Sequence, residues 1–296
     1  MKKFTLIAGM ALVALGASAQ SFNSDVLCVK DFAAKYGKGT YYNISMSDYS
    51  AEQLTKAGNT VVYIGPNSDD QSLGQNLWVW NGLGAGSTSI PAPGWDNEEN
   101  MDFNYMSLTA TGGWTGAGYN IRAKNDDTGA TFPAINMQFS ENSRLFFNYA
   151  TTAVAPKSVG FTILDQDGLE GEEGHFSIGA SHEGWPVFGA EASEDWQSID
   201  VSFGDMKKAY GNFTFPTTPF YGNAFAWHPG DVIGTNLAFD NIFFFTPESD
   251  VAIEGVEADD ADAPVVYYNL QGVKVANPAN GAYIKVQGTK ATKVVL

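Results

Sequence analysis

Apolar and polar side chains alternate in short runs along most of the chain. This period of two residues is typical of β-strands with one buried face. It predicts strands at residues 60–64, 77–80, 103–109, 135–139, 145–149, 158–164, 175–178, 197–203 and 237–245. Clusters of Gly, Pro, Asn and Asp separate the runs and mark turns. No long segment has the helical period of 3.6, so the pattern favours an all-β fold, an antiparallel β-sandwich of jelly-roll type.

Two short helices are predicted ahead of these strands. Residues 25–36 form one candidate, and Ser47-Asp48 stands before the second as an N-cap stands before a helix. Both lie in residues 20–59, which we interpret as an N-terminal segment preceding a sandwich domain at residues 60–247.

The first 19 residues have the pattern of an export signal. Lys2 and Lys3 precede an apolar run at residues 4–15, and Ala17-Ser18-Ala19 supplies a small-residue cleavage site. The run is too short to span the ~30 Å core of a bilayer, and no other stretch comes near that length. We therefore predict a signal peptide at residues 1–19, no transmembrane segment, and a mature chain that starts at or near Gln20. An exported protein is expected outside the cell or on the outer-membrane surface, with the periplasm as the alternative.

The composition changes after Pro247. Residues 248–262 hold seven acidic residues and no Lys or Arg, which predicts an acidic linker. Residues 263–296 hold four Lys and no acid, and their pattern predicts four short strands at 265–268, 273–275, 282–286 and 292–296. This module is too small for much core of its own.

Charge and cysteine content narrow the classes of function. The 16 basic and 33 acidic residues give a net charge of −17, or −19 without Lys2 and Lys3 of the signal. So acidic a chain repels phosphate backbones, so we expect no nucleic-acid partner, while neutral ligands and cations such as Ca²⁺ stay open. The single cysteine, Cys28, allows no internal disulfide and, with only three histidines, disfavours a zinc site.

The last 30 residues resemble the C-terminal sorting domains of type IX secretion in certain Gram-negative bacteria. The likeness lies in the segments Tyr267–Val275, Asn280–Val286 and Thr292–Leu296, which follow that family's order of a Gly turn, a Gly-x-Tyr strand and a basic-apolar final strand. The resemblance implies passage across the outer membrane and contact with export machinery, possible removal of the tail, and surface attachment. A small β-module that caps the main domain is the alternative.

The body of the chain resembles galactose-binding-like β-sandwiches, the group that includes jelly-roll carbohydrate-binding modules. The likeness rests on Thr235–Phe245, which reads like their closing strand with an Asp-Asn-Ile core, on Asp195–Phe203, and on Trp114–Tyr119. It implies a sandwich that binds a polysaccharide or other glycan.

Tryptophans are the first candidates for binding such a ligand, because sugar rings stack their C–H faces on indoles. Trp95, Trp185 and Trp227 adjoin Pro or Gly in predicted loops, where a rigid sandwich can present them. Asp96 and His228 are the polar candidates beside them, together with Asn97, His182 and Glu183. The strand residues Trp78, Trp80 and Trp196 are expected in the core instead.

An acidic run and one strand residue are candidates for a structural calcium ion. Residues 165–173 begin like a calcium loop, with Asp165 and Asp167 as alternate carboxylates, although Leu169 breaks the EF-hand pattern. Asp240 in the last strand of the sandwich is the second candidate.

The sequence contains none of the common hydrolase, metalloprotease, P-loop or dinucleotide fingerprints. We therefore predict a secreted or cell-surface, non-catalytic glycan-binding protein. A jelly-roll glycoside hydrolase or polysaccharide lyase, which needs only two suitably placed carboxylates, is one alternative. A structural or adhesive surface protein without a small ligand is the other.

Overall fold

The fold was obtained from a computed structural model of the chain. It describes residues 26–65, 74–85, 92–96, 105–125, 128–133, 135–150, 158–169, 171–189, 195–216, 219–228, 233–250, 264–269, 274–275, 278–279, 281–287 and 290–295. The chain forms two compact units that divide after residue 251. The predicted signal peptide lies outside the described residues, as does most of the predicted acidic linker.

The described elements are mostly strands. The helices are α1 (Val29–Tyr36), α2 (Asp48–Lys56) and α3 (Phe203–Ala209), with a 3-10 turn at Glu248–Asp250. The strands of the first unit are β1 (Gly39–Asn43), β2 (Thr60–Tyr63), β3 (Gln75–Trp80), β4 (Leu83–Ala85), β5 (Met106–Ala110), β6 (Gly116–Ile121), β7 (Arg144–Ala150), β8 (Ser158–Gln166), β9 (Gly174–Gly179), β10 (Val187–Gly189), β11 (Gln197–Ser202), β12 (Gly222–His228) and β13 (Asn236–Pro247). Those of the second are β14 (Val265–Tyr268), β15 (Lys274–Val275), β16 (Ala282–Gln287) and β17 (Lys290–Val295).

Two sheets form the first unit. A seven-stranded sheet has the order β11-β7-β13-β1-β2, with β5 also paired to β13 and β4 paired to β5. A six-stranded sheet has the order β10-β9-β8-β12-β6-β3. Neighbouring strands are antiparallel except for the pairs β1–β2 and β9–β10. The predicted all-β sandwich is therefore confirmed.

The main core lies between the two sheets and is rich in phenylalanine. Phe147 and Phe239 come from the seven-stranded sheet, Phe161, Phe176 and Phe225 from the six-stranded sheet, and all five are fully buried. Phe161 and Phe176 stack with ring centroids 4.8 Å apart. Because alternate residues of each strand point into this core, the residues between them must point away from it.

The N-terminal segment is built into the sandwich. Strand β1 lies between β13 and β2 within the seven-stranded sheet, and α2 forms the crossover between the parallel strands β1 and β2. The helices cover the outer face of that sheet, where Phe32 of α1 is fully buried against Phe146 and Phe243. Both predicted helices are found, and Ser47 caps α2 by accepting a hydrogen bond from the amide of Ser50 at 3.2 Å.

One predicted strand is wrong. Residues 135–139 alternate like a strand, yet they make a single β-bridge, between Ile135 and Phe220. Their backbone bonds to side chains instead, because the amide of Gln138 donates to the Tyr42 hydroxyl at 2.9 Å and its carbonyl accepts from Thr246 at 2.8 Å. An extended segment satisfied in this way shows the strand pattern without pairing.

The second unit is a four-stranded antiparallel sheet in the order β15-β14-β16-β17. All four strands lie within two residues of their predicted bounds. Tyr267 and Tyr283 meet edge-on across β14 and β16, with ring centroids 6.4 Å apart.

Candidate glycan-binding face

Tryptophans mark the face of the six-stranded sheet that points away from the core, which we call the outer sheet face. Leu77 of β3 packs on the core, so Trp78 and Trp80, one and three residues further along the strand, point outwards, and Trp78 is 60% exposed. The expectation that Trp78 and Trp80 belong to the core is therefore wrong. Trp196, expected there as well, is fully buried.

A trough of small side chains crosses the outer sheet face. Strand register places Trp78, Gly118, Ala226, Thr162 and His175 directly opposite one another across five strands. Gly118 and Ala226 have almost no side chain, so the floor between Trp78 and Thr162 is low. Four inter-strand spacings of ~4.8 Å make this row about 19 Å long, enough for an extended oligosaccharide.

A ladder of polar side chains runs along one side of the trough. Register aligns Asn76, Asn120, Asn223 and Asp165 across four strands. Asn120 donates from Nδ2 to Oδ1 of Asn223 at 3.1 Å, and Asn223 donates from Nδ2 to Oδ2 of Asp165 at 3.0 Å. Amides and carboxylates in such a row are suited to exchanging hydrogen bonds with sugar hydroxyls.

A pocket of about 310 Å³ adjoins the trough on its other side. It lies within the usual size range of small-ligand sites. Its lining residues are Trp80, Trp114, Thr115, Thr162, His175, His182, Glu183, Trp185 and His228. All three histidines of the chain therefore meet here.

Two glycines let indole rings approach the sheet closely. A Cβ on Gly116 would come within 2.1 Å of the Trp80 ring, and a Cβ on Gly160 would come within 2.5 Å of the rings of Trp185 and His182. Gly160 lies directly opposite His228 in the register of β8 and β12. The absence of side chains at these positions thus sets the depth of the pocket.

Tight turns hold Trp114 and Trp185 at the rim of the pocket. Glu183 and Gly184 both have positive φ, which forms the turn that brings Trp185 back over the sheet, and Ser181 donates to the Trp185 carbonyl at 2.8 Å. The Trp185 and His175 rings lie 4.3 Å apart at 31°. Trp114 is 66% exposed, and its carbonyl accepts a hydrogen bond from Nδ2 of Asn81 at 3.1 Å.

The polar groups of the pocket are linked by hydrogen bonds. Thr162 Oγ1 lies 3.3 Å from Nδ1 of His175 and 3.1 Å from Nε2 of His228, and His175 Nε2 lies 3.0 Å from Oε1 of Glu173. Burial lowers the pKa of His228 to about 4, with the neighbouring His182 and His175 adding to the effect. His228 is therefore neutral at physiological pH.

The structure separates the tryptophan candidates. Trp185 and His228 line the pocket, together with His182 and Glu183. Trp227 lies in β12 rather than in a loop and is only 1% exposed within the main core, so its ring cannot stack on a ligand. The following Pro229 gave the impression of a loop, whereas the strand continues up to His228.

Trp95 and Asp96 lie elsewhere, on the helical side of the seven-stranded sheet. Trp95 is partly buried against the apolar side chains around α1, and its carbonyl accepts a hydrogen bond from the Lys30 amide at 3.0 Å. Asp96 forms an ion pair with Lys30 Nζ at 3.2 Å. Asn97 lies outside the described residues. These residues support α1 and are not part of the outer sheet face.

The calcium candidates lie in two separate places. Asp165 ends the polar ladder, and Asp167 lies in the turn after β8, where burial and the nearby Asp165 raise its pKa. Asp240 is buried in the other sheet, where Oδ1 accepts from the Asn241 amide at 2.7 Å. No group of three or more metal-ligating side chains is found within the described part of the chain.

The chain is similar to several solved carbohydrate-binding modules. One is a family 30 module, with 12% identity, 59% of this chain and 79% of that chain covered, and a TM-score of 0.36. Another is a family 11 module from Clostridium thermocellum in complex with a β-1,3-1,4-mixed-linked tetrasaccharide, with 14% identity, 60% of this chain and 92% of that chain covered, and a TM-score of 0.33. A family 29 module variant has 12% identity, 74% of this chain and 99% of that chain covered, and a TM-score of 0.34. No protein-family model and no curated protein matches the sequence. The assignment of an all-β sandwich stands on the strand pairing of this chain itself.

Proposed function

We propose that the protein binds glycans on the outer sheet face of its six-stranded sheet. The observation that carries the proposal is the row of Trp78, Gly118, Ala226 and Thr162, an exposed indole at the end of a low trough. The Asn120–Asn223–Asp165 ladder borders one side and the indole-lined pocket the other. Indoles supply stacking surface and the ladder supplies hydroxyl partners, which together are the requirements of carbohydrate recognition.

Trp78→Ala is the sharpest test of this binding face. Trp78 is 60% exposed, so its removal should leave the fold intact while it lowers affinity for a bound polysaccharide about tenfold or more, as for a stacking residue worth over 1.4 kcal/mol. Affinity electrophoresis against a panel of soluble polysaccharides identifies the polysaccharide that binds and measures the loss of affinity in the variant.

Tyr49→Ala is the matched control for that experiment. Tyr49 is also an exposed aromatic residue, 48% accessible, but it belongs to α2 on the other sheet. It should bind like the unaltered protein. Equal losses in both variants, or no retardation by any polysaccharide, would refute the proposal.

We further propose that the site is non-catalytic. Burial alone would raise the pKa of Glu173, but hydrogen bonds from its own amide and from His175 outweigh burial and hold the pKa below its usual range. The depressed pKa keeps Glu173 ionised at neutral pH, so this carboxylate is not the general acid that glycoside hydrolysis would need. Release of reducing ends or of unsaturated sugars from the bound polysaccharide would reject this part of the proposal in favour of a hydrolase or lyase.

Export and metal binding are separate parts of the proposal. The signal-like residues 1–19 and the resemblance of residues 267–296 to type IX sorting domains support an extracellular or surface location. Among the described residues, no helix is long and apolar enough to cross a membrane. Fractionation of a type IX-competent Gram-negative host that expresses the protein with and without residues 263–296 tests the export route.

Calcium binding at Asp165 and Asp167 stays a prediction. Calorimetric titration of calcium into the EDTA-treated protein and into its Asp165→Asn variant tests it.

A further inference from the structure

Three side chains that line the pocket and the Glu173 carboxylate behind them form one continuous hydrogen-bonded chain. It runs from Glu173 through His175 and Thr162 to His228, with links of 3.0, 3.3 and 3.1 Å. Glu173 and His175 are mostly buried, with side chains 17% and 12% exposed, and Thr162 is 8% exposed. Because each link needs one donor and one acceptor, the state of one end fixes the state of the other.

The direction of this chain follows from counting its protons. The Glu173 carboxylate can only accept, so His175 donates to it from Nε2. A neutral His175 then has a lone pair on Nδ1, and the single Thr162 hydroxyl proton points there. The Thr162 oxygen accepts from Nε2–H of His228, which leaves a lone pair on His228 Nδ1. Among the described residues no group bonds to that nitrogen, and the His228 ring lines the pocket.

We propose that this chain fixes His228 as a hydrogen-bond acceptor in the pocket and thereby selects saccharides that present a hydroxyl there, neutral sugars, over uronic acids. The inference rests on the proposed glycan binding. A sugar hydroxyl can donate to a lone pair, whereas an ionised carboxylate opposes it with a second acceptor. The charge agrees, because the described residues that line the pocket include Glu183 and no Lys or Arg, and the chain has a net charge of −17.

Nitrogen-15 NMR of the free protein tests the chain without any ligand. We expect His228 to be the Nε2–H tautomer at pH 7.5. In Thr162→Val, which keeps the shape but lacks the hydroxyl, His228 should be a mixture of tautomers at every pH. Thr162→Ser should behave like the unaltered protein. A Nδ1–H tautomer at pH 7.5, or an unchanged spectrum in Thr162→Val, would overturn the inference.

Calorimetry with defined tetrasaccharides tests the selectivity. The probes are cellotetraose, laminaritetraose and mannotetraose as neutral sugars and tetragalacturonate as the acidic one. At pH 7.5 we expect at least one neutral probe to bind about tenfold or more tightly than tetragalacturonate, and Thr162→Val but not Thr162→Ser to lose about tenfold, as for one hydrogen bond. Tighter binding of tetragalacturonate, or equal affinity in Thr162→Val, overturns the selectivity while glycan binding stands. If none of the probes binds, glycan binding itself is rejected. The tautomer of His228 then still tests the hydrogen-bonded chain from Glu173 to His228.

Discussion

Gly160 controls how closely the pocket aromatics approach the sheet. Its place opposite His228 and beneath Trp185 and His182 leaves no room for a methyl group. Gly160→Ala should push both rings outwards, lower the free energy of unfolding by about 1–3 kcal/mol and weaken glycan binding. Trp fluorescence, thermal unfolding and affinity electrophoresis measure the three effects.

Gly211→Ala is the control for that substitution. Gly211 has no neighbour within 4 Å of the position of a Cβ and no positive φ, so an added methyl group meets open space. Its stability and affinity should equal those of the unaltered protein. If Gly160→Ala behaved the same way, the depth of the pocket would not depend on Gly160.

Trp78 and Trp80 could be placed on a strand from the sequence, but not on its exposed face. The spacing of Trp78 and Trp80 puts them on one face of a strand, but it does not say whether that face is core or surface. The answer depends on β6, whose outward Gly116 and Gly118 leave room above the sheet. The alternation of these glycines with Ala117 and Tyr119 is the signal in the sequence that could have identified the face.

One carboxylate links helix α1 to the seven-stranded sheet through hydrogen bonds. Asp200 of β11 accepts from Arg144 Nε at 2.6 Å, from Lys35 Nζ at 2.9 Å and from the Tyr36 hydroxyl at 2.6 Å. Burial alone would raise the pKa of Asp200, but these hydrogen bonds outweigh burial and hold the pKa below 3.8. The cluster therefore contributes stability only while Asp200 is ionised.

Asp200→Asn should lower the free energy of unfolding by about 3 kcal/mol at pH 7, as expected for breaking a buried charge cluster. Because the pKa is depressed in the folded state, the contribution is complete above pH 3.8 and is lost as the pH falls through the lower folded value. The difference between protein and variant should thus be constant from pH 7 to 5 and shrink below pH 4. Urea unfolding across this range measures it.

Glu52→Gln is the reference for an exposed ion pair. Glu52 and Lys56 lie 2.8 Å apart on α2 with both side chains 59% exposed, so their loss should cost no more than about 0.5 kcal/mol. A similar cost for Asp200→Asn would mean that the cluster does not anchor α1.

Elements with local signals are those that the sequence predicts well. Capping residues mark α2, and runs rich in aromatic and branched side chains mark β7, β8 and β13. Strand β1 is missed because a segment of five residues, Gly39–Asn43, is too short to contain such a run. Its central place depends on long-range pairing with β13 and β2, which no local pattern contains.

We assign glycan binding to the first unit of the molecule alone. Every residue of the outer sheet face belongs to the first unit, and the second is the four-stranded module that resembles a sorting domain. Removal of residues 252–296 should therefore leave the affinity for the bound polysaccharide within about twofold of the full chain, a change below 0.5 kcal/mol. Affinity electrophoresis of the two chains side by side makes the comparison. A tenfold loss would show that the second unit takes part in binding.

The seven tryptophans allow the central claim to be tested in one spectrum. The indole N–H signals in a ¹H–¹⁵N spectrum, assigned by single Trp→Phe variants, are followed while the polysaccharide ligand is added. We expect the signals of Trp78, Trp80, Trp114 and Trp185 to shift and those of Trp95, Trp196 and Trp227 to stay unchanged. Shifts confined to Trp95, or a spectrum that no glycan changes, would contradict binding on the outer sheet face.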